Sequence, residues 1–135
     1  MLAIETNDIL FAILNSNAEL KEEISGGIYA EERPDNSDKE DIVVNNLSLS
    51  HDRPQRAINN VNIHIPDIRV KVNGTDQYKM DRPRFRKITD LVVKAIKEGY
   101  ASHEGALFSI TAENILKESG NSHYNNIRIT SIIAD

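Results

Sequence analysis

The sequence predicts an α/β fold of the α+β type: a curved, mainly antiparallel sheet of four to five strands packed against an N-terminal helix and one main amphipathic helix. Three observations lead there. Apolar residues alternate over Ala57 to Ile65, with Val61, Ile63 and Ile65 on one face and Asn60, Asn62 and His64 on the other. Phe85, Ile88, Leu91, Val92, Ala95 and Ile96 recur at the three- and four-residue spacing of a helical face. The last third, Ala106 to Asp135, divides into two long segments around Glu118-Ser119-Gly120-Asn121-Ser122, a cluster typical of a turn.

Length and composition bound the rest. A chain of 135 residues, 39% hydrophobic and 27% charged, supports one hydrophobic core and hence one domain over residues 1–135. Its net charge of −5 argues against a protein whose main task is neutralising phosphates, which needs clustered cations. Aromatic content of 5% and the lack of Trp leave few stacking platforms for single-stranded nucleic acid. Cysteine is absent, so disulfides, thiolate metal sites and cysteine nucleophiles are excluded. No basic region precedes an apolar stretch near Met1, and the apolar run Ile9 to Leu14 falls far short of the about 20 residues of a membrane span. The expected location is therefore the cytoplasm in which the chain is made, with no membrane partner.

From the N-terminus, Thr6 and Asp8 precede the helical stripe Ile9, Leu10, Ile13 and Leu14, which gives a first helix ending near Asn15. Ser16 and Glu19 form a capping-box pattern, so a second short helix is expected to Ile24, with one kinked helix as the alternative. Ser25-Gly26-Gly27 stops it. Ile28 to Glu40 reads as a polar loop and a candidate contact surface. Asp41 to Ser50 reads as a strand whose apolar parity changes between Ile42, Val44 and Leu47, Leu49. A bulge at Asn45-Asn46 would keep both pairs on one core. After a turn at His51-Asp52-Arg53-Pro54 comes the alternating strand, its plausible antiparallel neighbour, ended by Pro66.

Asp67 to Met80 admits two readings. Ile68, Val70 and Val72 alternate before Asn73-Gly74, a hairpin dipeptide, but a long excursion between the sheet and the next helix is preferred. Asp81 can cap the main helix and Gly99 stands where a left-handed terminator is expected, so that helix should run from about Arg82 to Glu98, with Lys87, Asp90, Lys94 and Glu98 in water. In the closing pair, Phe108, Ile110 and Ala112 share a parity that slips near Asn114, and Ile127, Ile129 and Ile133 alternate with Asn126, Arg128 and Thr130. A helix over Ala112 to Glu118 is the competing assignment. Two phase slips predict bulges and a bent sheet.

No residue pattern points to catalysis or to a cofactor. His51, His64, His103 and His123 lie in four separate segments, without the spacing that puts two ligands on one helix face, and read as surface residues. No Ser occupies a nucleophile elbow. Gly26-Gly27 ends a helix instead of opening one, the wrong context for a phosphate cradle. One basic cluster stands out: Lys79, Arg82, Arg84, Arg86 and Lys87 gather at the start of the main helix, where cations oppose the helix dipole at a cost of about 0.3–1 kcal/mol each when exposed. Such a placement points to an acidic surface on a partner subunit, or to DNA, unless Asp81 and Asp90 merely offset it.

The chain resembles the tail-completion and tail-terminator family of long-tailed bacteriophages. The likeness spans nearly its whole length and rests on the element order together with Gly27-Ile28-Tyr29-Ala30-Glu31-Glu32-Arg33-Pro34, Glu40-Asp41-Ile42-Val43-Val44-Asn45, Val61-Asn62-Ile63-His64-Ile65-Pro66-Asp67 and Tyr124-Asn125-Asn126-Ile127-Arg128-Ile129. The resemblance implies a non-enzymatic virion protein, most simply a hexameric ring on the tail tube that helps join the tail to the head connector, with DNA passing through the ring. It implies partners in copies of itself, the tail-tube protein and the connector, and a place in the virion tail after assembly in the host cytoplasm. Candidate subunit contacts, chosen from charge and loop position, are Arg33, Asp35, Lys39, Lys79, Arg82, Arg84 and Arg86. The Asp67 to Met80 segment is longer than the family pattern. The alternative is a small DNA-associated or regulatory binding protein, which leans on the basic cluster.

Overall fold

Leu10 and Leu14, one helical turn apart and fully buried, anchor the first helix, α1 (Ala3–Asn15), in a computed structural model that describes residues 1–101 and 106–133. This helix begins earlier than its apolar stripe, so Thr6 lies inside it. The Thr6 hydroxyl donates to the Ala3 carbonyl at 2.6 Å and accepts from the Asn46 and Asn59 side chains at 3.1 Å each. Asn7, fully buried, donates from Nδ2 to the Val44 carbonyl at 3.2 Å and to Glu31 at 2.7 Å. A polar seam thus complements the apolar stripe where α1 meets the sheet.

A separate second helix, α2 (Ala18–Glu23), follows, and its cap is Asn17, whose Oδ1 accepts from the Leu20 N–H at 2.9 Å. The expected Ser16 cap is corrected: its hydroxyl turns back to the Ile13 carbonyl. Ile28, expected in a loop, opens a three-residue strand instead, β1 (Ile28–Ala30), parallel to β2 (Asp41–Leu49). The Gly27 carbonyl accepts from the Ile42 N–H at 2.9 Å, and the Gly27 N–H donates to the Asp41 carboxylate at 3.0 Å. These bonds align the incoming chain with β2.

The remaining sheet follows the alternation. β2 pairs antiparallel with β3 (Gln55–Pro66), β3 with β7 (Ser122–Ile133), and β7 with β6 (Ala106–Glu118), giving the order β1-β2-β3-β7-β6. Residues 112–118 are therefore strand, not helix. Both bulges exist but are displaced, to between Asn46 and Ser48 in β2 and between Ile110 and Ala112 in β6. Leu47 is exposed, so the β2 bulge does not return both apolar pairs to the core.

Between β3 and the main helix, the preferred excursion is corrected to a hairpin of β4 (Ile68–Val72) and β5 (Thr75–Lys79), turning at Asn73 and Gly74 with φ of 49° and 78°. The main helix, α3 (Arg82–Ala101), runs two residues past Gly99, which lies within it and does not terminate it. Phe85, Ile88, Val92, Ala95, Ile96 and Tyr100 are buried, against Ile42, Val44, Val61, Ile63, Ile127 and Ile129 of the sheet. The opposite sheet face is polar along the middle of β3 and β7, with Leu107, Leu116 and Ile132 exposed at its β6 side. Across neighbouring strands, Asn60 donates to Asn45 at 3.1 Å and Asn126 to Asn62 at 2.7 Å.

Candidate functional site

Beside the first half of α3 the sheet is left uncovered, and a groove of about 910 Å³ opens between that helix and strands β6 and β7. Its helix wall carries Arg82, Phe85, Arg86 and Thr89, and its sheet wall carries Glu113, Ile115 and Asn125. Two of the three residues from the sheet, Glu113 and Ile115, follow from the β6 bulge, whereas Asn125 takes its place by the regular alternation of β7. Beyond Thr111 the strand's parity reverses, so Glu113 and Ile115 take the helix side where Phe108 and Ile110 were before it. Ile115 stays 48% exposed because α3 does not reach over it.

Asn125 lies at the groove's back, 1% exposed. Its Nδ2 donates to Thr89 Oγ1 at 3.1 Å and to Glu113 Oε1 at 2.7 Å. Its Oδ1 is buried and meets no donor among the described residues. A buried amide oxygen without a donor is costly, about 1–3 kcal/mol, and is a natural point for an incoming group to satisfy.

The basic cluster divides in two. Arg84 turns inward and binds Glu40 and Glu23, and Lys87 joins Glu23 at 3.2 Å. These bonds to Glu40 and Glu23 push the Arg84 guanidinium above its ordinary value against the effect of burial, and the Arg84 and Lys87 bonds hold the Glu23 carboxyl below its own. Lys79, Arg82 and Arg86 are exposed and make no ion pair among the described residues. The placement that looked unfavourable at the helix start is thus offset at Arg84 and left open at Arg82 and Arg86.

Arg33 is also internal. Its guanidinium bridges Asp41, 1% exposed, at 3.2 Å and Glu118 at 3.4 Å, while the Ser37 hydroxyl donates to the same Asp41 oxygen, Oδ2. The charged loop is thereby fastened across the sheet end, with Asp35 and Lys39 left exposed on it. Two histidines expected at the surface have carboxylate partners: His64 Nδ1 lies 3.0 Å from Glu118 with its ring stacked on Tyr124, and His123 Nδ1 lies 2.6 Å from Asp67. His51 is exposed, and His103 lies outside the described residues.

Glu113, Ile115 and Asn125 escaped the sequence reading. A signal existed for Asn125, since it shares the inward parity of Ile127 and Ile129 and is the polar exception in that row. Among the described residues no group of three His, Asp or Glu is close enough to hold a metal ion, and no helix is long and apolar enough to cross a membrane. No family model matches the chain, and no curated protein is similar to it.

Proposed function

We propose that this chain is a non-enzymatic structural subunit of a bacteriophage tail, a completion protein that forms a ring on the tail tube and helps join it to the head connector. The observation that carries this reading is the architecture around one main helix: an N-terminal helical pair, a charged loop and antiparallel strand pairs, the element order on which the family resemblance rests. The unpaired Arg82 and Arg86 beside a groove with an unmet acceptor are consistent with docking to another protein. The direct test mixes the purified chain with tail-tube subunits and examines the products by electron microscopy. Rings seated on tube ends, with tube lengths becoming uniform, are expected; tubes that grow unchanged beside free chain overturn the reading.

A second reading, a small DNA-associated protein, draws on the same two arginines. It requires retention of duplex DNA that falls steeply with salt, because each phosphate contact releases counterions.

A further inference from the structure

The hairpin β4–β5 has one face, apolar along β4, that no other element packs against extensively among the described residues, leaving Val70 and Val72 half-buried. Strand pairing puts Ile68, Val70 and Val72 on that face with Thr75, Gln77 and Lys79, and Ile68 is 40% exposed. The arm makes no extensive contact with any other element among the described residues. Its base is nonetheless pinned: the Asp67 N–H donates to the Asn121 carbonyl at 2.8 Å and the Asp67 carboxylate meets His123. A two-stranded hairpin alone is marginal in water, so an arm held away from its own core points to burial elsewhere.

The complementary surface is the outer edge of the same molecule's sheet, formed by β6, whose turn into β7 holds the arm's base. β6 is the outer strand, and its edge, which pairs with no other strand among the described residues, offers backbone donors and acceptors along Ala106–Glu118, with Leu107, Ile115 and Leu116 exposed on it. Native chains rarely leave such an edge bare. The adjoining groove presents Ile115, Met80 and Val93 to an apolar face, the carboxylates of Glu113 and Asp90 to a cation, and the unmet Asn125 Oδ1 to a donor. The hairpin face supplies each of these in Val70 and Val72, Lys79 and the Gln77 amide.

We infer that the β4–β5 arm of one copy adds to the β6 edge of the next, with its apolar face over the groove beside α3. The contact is heterologous, head to tail, and such contacts close into rings when the rotation between copies permits. Strand addition gives affinity through backbone bonds and register through side chains at alternate positions. The assignment rests on the ring reading above and names the surfaces that would build it. An acidic strand of the tail-tube protein, drawn by Arg82 and Arg86, is the competing occupant.

The chain has no cysteine, which makes the test direct. Lys71→Cys on the arm and Asn114→Cys on β6 are made as separate full-length variants, mixed under assembly conditions with and without tail-tube subunits, and mildly oxidised. The expected result is a mixed disulfide between the two variants, several-fold more abundant than either homodimer and suppressed when Ile115→Lys is added to the β6 variant. Rings that form without that disulfide, or that form equally well with Ile115→Lys, overturn the arm contact and leave the ring reading standing. A chain that stays monomeric in sedimentation at every concentration, alone and with tube subunits, and gives no mixed disulfide overturns both.

Discussion

The Arg84 guanidinium grips the Glu40 carboxylate with two parallel bonds, Nε to Oε2 at 2.7 Å and Nη2 to Oε1 at 2.8 Å. Nη2 also donates to the Glu23 carbonyl at 2.9 Å, and Nη1 to the Glu23 carboxylate. One side chain of α3 therefore fastens the end of α2 and the residue before β2. Removing it leaves Glu40, whose side chain is only 12% exposed, without its main donors. Arg84→Ala is expected to lower stability by about 1.5 to 3 kcal/mol, the range for charge-assisted bonds, read as a drop in the urea midpoint. Lysine presents a point charge and not a fork, so Arg84→Lys should recover less than half of the loss.

Gly99 and Ile13 set how closely α3 approaches α1. A Cβ built on Gly99 would lie 2.3 Å from Ile13 Cγ2 and 2.8 Å from Cγ1. In an exposed helix interior, Gly→Ala gains about 1 kcal/mol from propensity alone. Here the clash is against a branched side chain near its backbone, and overpacking of that kind costs about 1 to 3 kcal/mol. Gly99→Ala is accordingly expected to destabilise, and Ile13→Ala in the same chain should relieve most of that loss. A double-mutant cycle by chemical denaturation measures the coupling.

Gly99 also illustrates what the sequence could and could not convey. Near the end of a periodic stripe, glycine has two physical uses: a left-handed terminator or a site of close helix approach. Only the position of Ile13, far away in sequence, decides between them. The same holds for the bulges. Parity within β2 and β6 revealed that a residue is inserted, whereas the partner strand's register places it, a few residues earlier in β6 and slightly later in β2. The long strands and the main helix were legible because each repeats its period over many residues. β1, with three residues, has no period to show and exists through its pairing with β2. The groove was hidden for a related reason, since Glu113 and Ile115 face it only because of the bulge before them.

The hairpin turn offers a local prediction. Asn73 and Gly74 both adopt positive φ, as a two-residue turn with the strands' twist requires, and a β-branched residue at Gly74 is strained there. Gly74→Val is expected to open β4–β5 while changing global stability by no more than about 0.5 kcal/mol, because the arm supports no core. Hydrogen exchange should show faster amide exchange over residues 68–79 with β3 and β7 unaffected.

Charge reversal at the groove separates docking from folding. Arg82 and Arg86 are exposed and form no ion pair among the described residues, so Arg82→Glu with Arg86→Glu should not lower the thermal midpoint, and carboxylates at the start of α3 should raise stability by up to about 1 kcal/mol. The added carboxylates lie along the wall that also carries Asp90, and they reverse the charge offered to a docking partner. Loss of attachment to tail tubes with unaltered folding is the expected outcome, measured by co-sedimentation with assembled tubes.

Acid sensitivity follows from Glu118. Burial opposes its ionisation, but the His64 and Ser122 hydrogen bonds, at 3.0 and 2.8 Å, outweigh this together with the charges of His64 and Arg33, so its pKa falls below the ordinary 4.5. A carboxylate whose folded pKa is depressed adds stability that is fully present above its unfolded value and is lost as pH falls through the folded one. Stability should therefore hold near neutrality and decline as the solution is acidified below about pH 4.5, where the unfolded chain takes up the proton first. Glu118→Gln cannot ionise and removes this contribution. Its destabilisation relative to the parent should be largest near about pH 7 and shrink steadily toward about pH 3 in paired urea titrations. A gap that stays constant across that range would mean that Glu118 acts through shape and hydrogen bonding alone, and that its charge does not hold Arg33 and His64 at the sheet end.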